Sequence, residues 1–249
     1  MTAVARYELR ALLLTQRWVA PFLIYAAFLA VLYAGPAGGG ITPFAVTAFG
    51  LIPIAAFFTR ALLHAEDDIA RQVTVAAAGG RVRVQVAALI ATAGPVLVLS
   101  ALAVGWGLVA DPQLHVLRLI VGALALHLLF GAAGIALGAV VSRPVLSPVG
   151  PAVLGIVAIT TLLLAVPVSP VSWAIRTLTH HQHQALTAPM VAPVISVLIL
   201  TGAGLAASVL AASRRASASR LAPSTMADQT YLEECSSFCH FRLTGEHLF

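Results

Sequence analysis

Long stretches without charged residues dominate the pattern of this chain. A helix needs about 20 mostly apolar residues to cross a bilayer. This chain contains several stretches of about that length, and short breaks rich in glycine, proline or charged residues lie between them. One such break is the run GPAGGG at Gly35–Gly40, which cannot remain helical. The pattern predicts an all-α membrane protein with six transmembrane helices. The predicted spans are Trp18–Ala34, Thr42–Leu63, Val84–Ala110, Val116–Val141, Val145–Val166 and Val191–Ala212.

The N-terminal segment, residues 1–17, has a different pattern. Apolar and charged residues recur in it at roughly helical spacing, with Arg6, Arg10 and Arg17 among the charged residues and Tyr7 among the apolar ones. Such a pattern is typical of an amphipathic helix lying on the membrane surface. The alternative is that the segment is only the basic flank of the first span. In either case the six spans form a transmembrane domain over residues 18–212.

Two further segments are too polar to span a membrane. Pro167–Pro189 is uneven in polarity, and we expect a short interfacial or re-entrant external segment with Trp173 at headgroup level. Residues 213–249 are predicted to form a disordered cytoplasmic tail. The part Asp228–Phe249 is acidic and aromatic, unlike the rest of the chain. It is either a genuine appendage or the product of an altered reading frame.

Composition supports the membrane interpretation. Apolar residues make up 60% of the 249 residues and charged residues 9%, whereas soluble proteins have about 45–50% and 25%. So few charges could not cover so much apolar surface in water. The excess of basic over acidic residues, 14 against 9, does not indicate nucleic-acid binding, because the basic residues lie at the ends of apolar stretches.

The distribution of arginine predicts the orientation, since basic residues accumulate on the cytoplasmic side of membrane proteins. With the N-terminus inside, the outer side holds only Arg118 and Arg176. We therefore expect a multi-pass protein with both termini cytoplasmic. The arginines expected on the inner side are Arg6, Arg10, Arg17, Arg60, Arg71, Arg81, Arg83, Arg143, Arg214, Arg215, Arg220 and Arg242.

Every basic residue is arginine, and the chain contains no lysine. A Walker A loop needs a lysine to reach the nucleotide phosphates, so this chain cannot hold a standard one. The use of arginine alone, with abundant alanine, valine, leucine and glycine, suggests a GC-rich bacterial genome. The predicted location is the bacterial plasma membrane.

The order of these features resembles the permease subunit of bacterial type-2 ATP-binding-cassette exporters over about Met1–Ala222. The resemblance rests on the amphipathic segment RYELRALLLTQRW, the hairpin of spans one and two, the charged segment HAEDDIARQVTVAAAGGRVRV, two more spans with a short outer turn, and the uneven segment between spans five and six. It implies a separate ATPase subunit that binds ATP and Mg, with no cofactor on this chain. It also implies a substrate path formed with a second permease chain, as a homodimer or heterodimer.

In that family the segment between spans two and three carries a coupling helix that docks on the ATPase. The corresponding charged residues here are Glu66, Asp67, Asp68 and Arg71. Their mixed charge suits docking to a polar partner surface, and the pair Gly79-Gly80 is expected to end the helix. The alternative is an ordinary solvated loop.

A second candidate site lies within the bilayer. His127 is deep in predicted span four, and an ionisable residue there is a functional candidate; we favour a neutral histidine hydrogen-bonded to a neighbouring helix. Small residues of the same span let helices approach closely, either within the bundle or in a dimer. These are Gly131, Gly134 and Gly138.

Possible metal ligands occur outside the spans. Three histidines follow one another closely in the external segment, and two cysteines with a histidine lie in the tail. A wet surface loop is the preferred interpretation of the first group, and the second group lacks the usual zinc spacing. The residues are His180, His181, His183, Cys235, Cys239 and His240.

Two other functions remain open from the sequence. A polytopic membrane enzyme, such as an intramembrane hydrolase, would need reactive groups converging in the bilayer, where His127 alone is clearly central. A non-transporting membrane scaffold is the third possibility. A neighbouring gene for an ATPase would favour the exporter. The nearly uncharged spans favour a lipid-like or amphipathic cargo.

Overall fold

The computed structural model describes residues 2–35, 42–66, 68–110, 117–142, 149–166 and 188–221. All regular structure within these ranges is helical. The helices, in chain order, are α1 (Thr2–Leu14), α2 (Val19–Leu32), α3 (Thr42–Leu63), α4 (Asp68–Ala78), α5 (Arg81–Ala110), α6 (Leu117–Val140), α7 (Val149–Ala165) and α8 (Ala188–Leu221).

Four of these helices are long and apolar enough to cross a membrane, and they lie in α3, α5, α6 and α8. A fifth span is possible if α1 and α2, which meet at 75°, together form one bent span. α2 has 14 residues and α7 has 17, so each is shorter than the length of about 20 that usually spans the hydrocarbon core. Several long apolar helices of this kind indicate a multi-pass membrane protein.

α3 is the centre of the bundle and packs against α2, α5, α6 and α7. One core cluster joins its Phe44 and Ile52 to Ala123 and Phe130 of α6. Another joins α3 to Tyr25 of α2 and to α5. Because lipid is as apolar as these side chains, close packing rather than exclusion from water stabilises such contacts in a membrane.

Glycines set the close approach of α3 and α6. A Cβ atom added at Gly138 would lie 2.5 Å from the Ala56 carbonyl oxygen, and one at Gly134 would collide with the Ile52 carbonyl oxygen. A Cβ at Gly131 would instead meet Val96 of α5. These glycines therefore serve packing within the bundle, which was the first of the two predicted roles.

A tight turn separates α1 from α2. Gln16 has φ 54°, which is uncommon for a residue other than glycine. The Thr15 hydroxyl donates to the Ala11 carbonyl oxygen at 2.9 Å, and the Trp18 indole donates to the Leu13 carbonyl oxygen at 3.3 Å. The turn directs α1 across the end of the bundle, where it packs against α5 and α3.

Arg60 near the end of α3 is buried, although arginines at span ends commonly extend to the membrane surface. Its Nη1 donates to the Val141 carbonyl oxygen at 3.0 Å. That carbonyl follows the last residue of α6, where helix carbonyls have no partner within the helix. Arg60 thus ties the end of α3 to the end of α6.

The chain divides into two compact units, Met1–Ser213 and Arg214–Phe249. The first contains α1 to α7 and residues 188–213 of α8. In the second, the described residues are 214–221, and they are helical. Helix therefore continues beyond Ser213, where the sequence predicted a disordered tail to begin, while residues 222–249 lie outside the described residues.

Candidate functional site

α4 is a short helix held between two apolar helices, in the segment where the sequence predicted a coupling helix. It ends in two glycines, with φ 75° at Gly79 and φ 148° at Gly80. The Gly80 N–H donates to the Val75 carbonyl oxygen at 3.0 Å and the Gly79 N–H to the Ala76 carbonyl oxygen at 3.3 Å. This pair of bonds is the Schellman motif. It confirms that Gly79-Gly80 ends the helix.

Two of the predicted coupling residues make hydrogen bonds within the chain, and their role in docking stays a prediction. Glu66 is 8% exposed and accepts a hydrogen bond from the Thr74 hydroxyl at 2.8 Å. Arg71 donates to the Leu63 carbonyl oxygen at 3.1 Å and to the Gln85 side-chain oxygen at 3.4 Å. Their hydrogen bonds thus join α4 to the end of α3 and the start of α5.

The other two predicted residues are less completely described. Asp67 lies outside the described residues, and so does the side chain of Asp68, the first residue of α4. Whether either aspartate contributes to docking remains a prediction from the sequence.

The outward face of α4 is apolar. Ile69 is 77% exposed and Val73 66% exposed, and Gln72, Ala76 and Ala77 are exposed beside them. The prediction from the sequence concerned the charged residues and did not include this face. Its signal was present in the spacing of Ile69, Val73 and Ala76, which places them on one side of a helix.

α1 has one face on the bundle and one face away from it. Ala5, Glu8, Leu9 and Leu12 follow helical spacing on the packed side, and Leu12 is 1% exposed. The predicted interfacial residues lie on the other side, with Leu13 and Leu14 also exposed. Those on α1 are Arg6, Tyr7 and Arg10, and the exposed Arg17 lies in the turn that follows the helix. Arg17 also donates to the His64 carbonyl oxygen at 3.0 Å.

Glu8 is an unexpected member of the packed face. In the sequence it is one of the charged residues that alternate with apolar ones between Arg6 and Arg17, yet it is 1% exposed and neither carboxyl oxygen has a hydrogen-bond partner. The pKa of Glu8 is raised from 4.5 to about 7, mainly by burial and also by the Glu66 charge, while the Arg71 charge opposes the rise. We call Glu8, Glu66, Arg71, Thr74 and Gln85 the α4-end cluster.

His127 occupies a second polar site, inside the bundle. Its Nδ1 lies 2.7 Å from the Ala123 carbonyl oxygen and its Nε2 lies 3.0 Å from the Thr47 hydroxyl on α3. A carbonyl can only accept, so Nδ1 carries the proton, and in the neutral ring Nε2 accepts from Thr47. Tyr25 of α2 donates to the Thr47 carbonyl oxygen at 3.0 Å. These are the contacts of a histidine that joins neighbouring helices.

No group of three or more potential metal ligands forms among the described residues. The histidine and cysteine groups named from the sequence fall outside them. These residues are His180, His181, His183, Cys235, Cys239 and His240.

No protein-family model, curated protein or solved structure matches the chain. Function is therefore inferred from the residues of the chain and their contacts.

Proposed function

We propose that this chain is the membrane permease subunit of an ATP-driven exporter in the bacterial plasma membrane. It forms the substrate path with a second permease chain and is driven by a separate ATP-binding-cassette ATPase, which binds ATP and Mg. It crosses the membrane six times with both termini in the cytoplasm. α2 and α7 are then the two shorter spans, and α1 lies on the cytoplasmic surface of the membrane.

The observation that carries the proposal is the exposed apolar face of α4. α4 ends in a Schellman motif, and Arg71 connects it by hydrogen bonds to α3 and α5. A displacement of α4 can therefore be transmitted to both of these helices. Ile69 and Val73 stand out from that helix into the surroundings. An apolar stripe on a small, firmly held helix suits insertion into a groove of a partner protein.

The orientation of α1 also supports the proposal. It meets α2 at 75°, so a membrane-spanning α2 leaves α1 nearly parallel to the membrane plane. Arginines and the apolar side chains of Tyr7, Leu13 and Leu14 share its outer face. That combination suits contact with lipid headgroups. The membrane-enzyme alternative gains nothing from His127, because protein groups bond both of its ring nitrogens.

The test is a comparison of two matched surface changes. The double substitution Ile69→Ser with Val73→Ser removes the apolar face of α4, and Leu13→Ser with Leu14→Ser removes exposed apolar side chains of α1. If α4 docks on the ATPase, the first variant should lose co-purification with the ATPase and substrate-stimulated ATP hydrolysis in liposomes. The α1 variant should retain both.

Retention of full association and full coupling by the α4 variant would remove this helix from the mechanism and count against the exporter proposal. Equal loss in both variants would show instead that general disturbance of the apolar surface, and not docking through α4, caused the defect.

A further inference from the structure

Two buried carboxyl groups in the α4-end cluster have oxygen atoms without partners. Both oxygens of Glu8 lack a hydrogen bond, and so does Oε2 of Glu66. Glu8 and Glu66 are 1% and 8% exposed. An ionised carboxylate that is removed from water and receives no hydrogen bond is strongly unfavourable. Glu8 is such a group, and the nearby Glu66, whose Oε1 accepts a hydrogen bond from Thr74, adds the repulsion of a like charge.

One positively charged side chain lies near the two carboxyl groups. The charge of Arg71 opposes the rise in the pKa of Glu8, and Arg71 donates hydrogen bonds to the Leu63 carbonyl oxygen and to the Gln85 side-chain oxygen. With both glutamates ionised and Arg71 charged, these three groups carry a net charge of −1. Binding one proton makes this group of three neutral. Oε2 of Glu66 supplies an acceptor of the kind that a protonated Glu8 needs.

A third buried side chain completes the cluster. Gln85 of α5 is 1% exposed; its side-chain oxygen accepts from Arg71, and its Nε2 has no partner. The cluster therefore contains an unpartnered donor as well as unpartnered acceptors.

Other charged groups on the elements packed against α1 point elsewhere or are exposed. On α3, Arg60 donates to the Val141 carbonyl oxygen, and Nδ1 of the following His64 lies 3.1 Å from the Arg60 carbonyl oxygen. On α5, Arg81 and Arg83 are exposed. Asp67 and the side chain of Asp68 are outside the described residues. Glu66 and Arg71 are the charges known to act on Glu8.

We propose that Glu8, with the charge of Glu66 beside it, forms a proton-binding site that controls the docking of α1, so that one bound proton holds α1 on the bundle and loss of that proton to solvent frees it. Glu8 is the only charged residue on the packed face of α1 within the described residues. Its ionisation must therefore act directly on the contact between α1 and α5.

The direction of the pH effect follows from the raised pKa of Glu8. Its pKa is about 7 in the docked state, and 4.5 is its ordinary value when exposed. The docked state thus binds the proton more tightly. Docking is strongest below about pH 4.5 and weakens as the pH rises through about 7. Between about pH 5 and about pH 8 the equilibrium constant for docking of α1 should fall roughly tenfold to hundredfold.

The experiment measures the distance between two spin labels in the full chain, in lipid nanodiscs, with Cys235 and Cys239 replaced by serine. One label replaces Leu14, which is 84% exposed on α1, and the other replaces the exposed Gln72 on α4. We expect one short distance at about pH 5 and a growing population of longer distances towards about pH 8.

Three variants decide the outcome. Glu8→Gln cannot ionise, so it should keep the short distance at both pH values. Glu66→Gln removes a charge that raises the pKa of Glu8, so it should reduce the change with pH. The matched control Arg10→Gln, at an exposed position of the same helix, should respond to pH as the unmodified chain does.

An unchanged distance distribution in the unmodified chain would overturn the proposal, and so would the same pH response in Glu8→Gln. If Glu8→Gln does not fold, Glu66→Gln still tests the proposal, because an undiminished pH response in that variant would contradict the effect of the Glu66 charge on the site. The spin-label experiment does not measure association with the ATPase. Failure of this proposal is therefore distinguishable from failure of the proposed function.

Discussion

Polar side chains inside this bundle are held by particular hydrogen bonds between helices. The Thr47 hydroxyl lies 3.0 Å from His127 Nε2 and links α3 to α6. Arg60 links the ends of the same two helices through the Val141 carbonyl oxygen. In a membrane, such bonds contribute modestly, because polar groups also find partners in the unfolded state. Their main effect is to select one arrangement of the helices.

The coupling between Thr47 and His127 can be measured directly. We expect Thr47→Val to lower the free energy of unfolding, because Nε2 of a buried histidine loses its partner. A double-mutant cycle with His127→Leu should give a coupling energy of about 0.6 to 1.7 kcal/mol. Unfolding in mixed detergent micelles provides the measurement. A coupling energy near zero would mean that the bond contributes nothing to stability.

Among whole elements, the contact between α3 and α6 dominates the described bundle. It depends on a row of small residues, because the backbone of α3 at Ile52 and Ala56 lies directly over Gly134 and Gly138. Backbone atoms cannot move aside as a flexible side chain can. α6 therefore tolerates no additional carbon atom at these positions without a shift of the helix.

Alanine substitutions at glycines of two different helices test this contact. Gly138→Ala should destabilise the protein by about 1–3 kcal/mol through overpacking. The control is Gly94→Ala on α5, where an added Cβ would meet nothing within 4 Å. That change should be neutral or stabilising, since alanine favours a helix by up to about 1 kcal/mol over glycine. Equal stability of the two variants would show that α3 and α6 can move apart without destabilising the folded protein.

At the scale of the whole molecule, the number and direction of the spans decide which side the α4-end cluster faces. α1, α4 and the start of α5 gather at one end of the bundle. Under the proposed topology that end is cytoplasmic, where both an ATPase and a proton supply are accessible. The arginine bias of the sequence is the basis for this orientation.

Single cysteines test the topology in a background that lacks Cys235 and Cys239. Cysteines at Gly38, Gln113 and Gln182 lie in the predicted outer connections, so an impermeant thiol reagent should label all three in intact cells. A cysteine at the exposed Gln72 on α4 should react only after lysis. The reverse result, with Gln72 labelled and the other three protected, would invert the orientation and place α4 outside.

Local features of this protein could be predicted from its sequence. The predicted span Thr42–Leu63 coincides with α3, and Gly79-Gly80 ends α4 as expected. Both depend on neighbouring residues: an uninterrupted apolar stretch in the first case, and the ability of glycine to adopt positive φ in the second. The helical fold class follows from the same local pattern.

Contacts between distant residues were decided only by the tertiary structure. Arg60 and Val141 are 81 positions apart, and nothing near either residue reveals their bond. Likewise, the amphipathic pattern of α1 did not reveal that Glu8 would be buried with Leu12 where α1 packs against α5. Burial of Glu8 and Glu66 depends on which helices meet, and therefore on packing across the whole bundle. Local periodicity defines the faces of a helix, while tertiary packing selects which of them is buried.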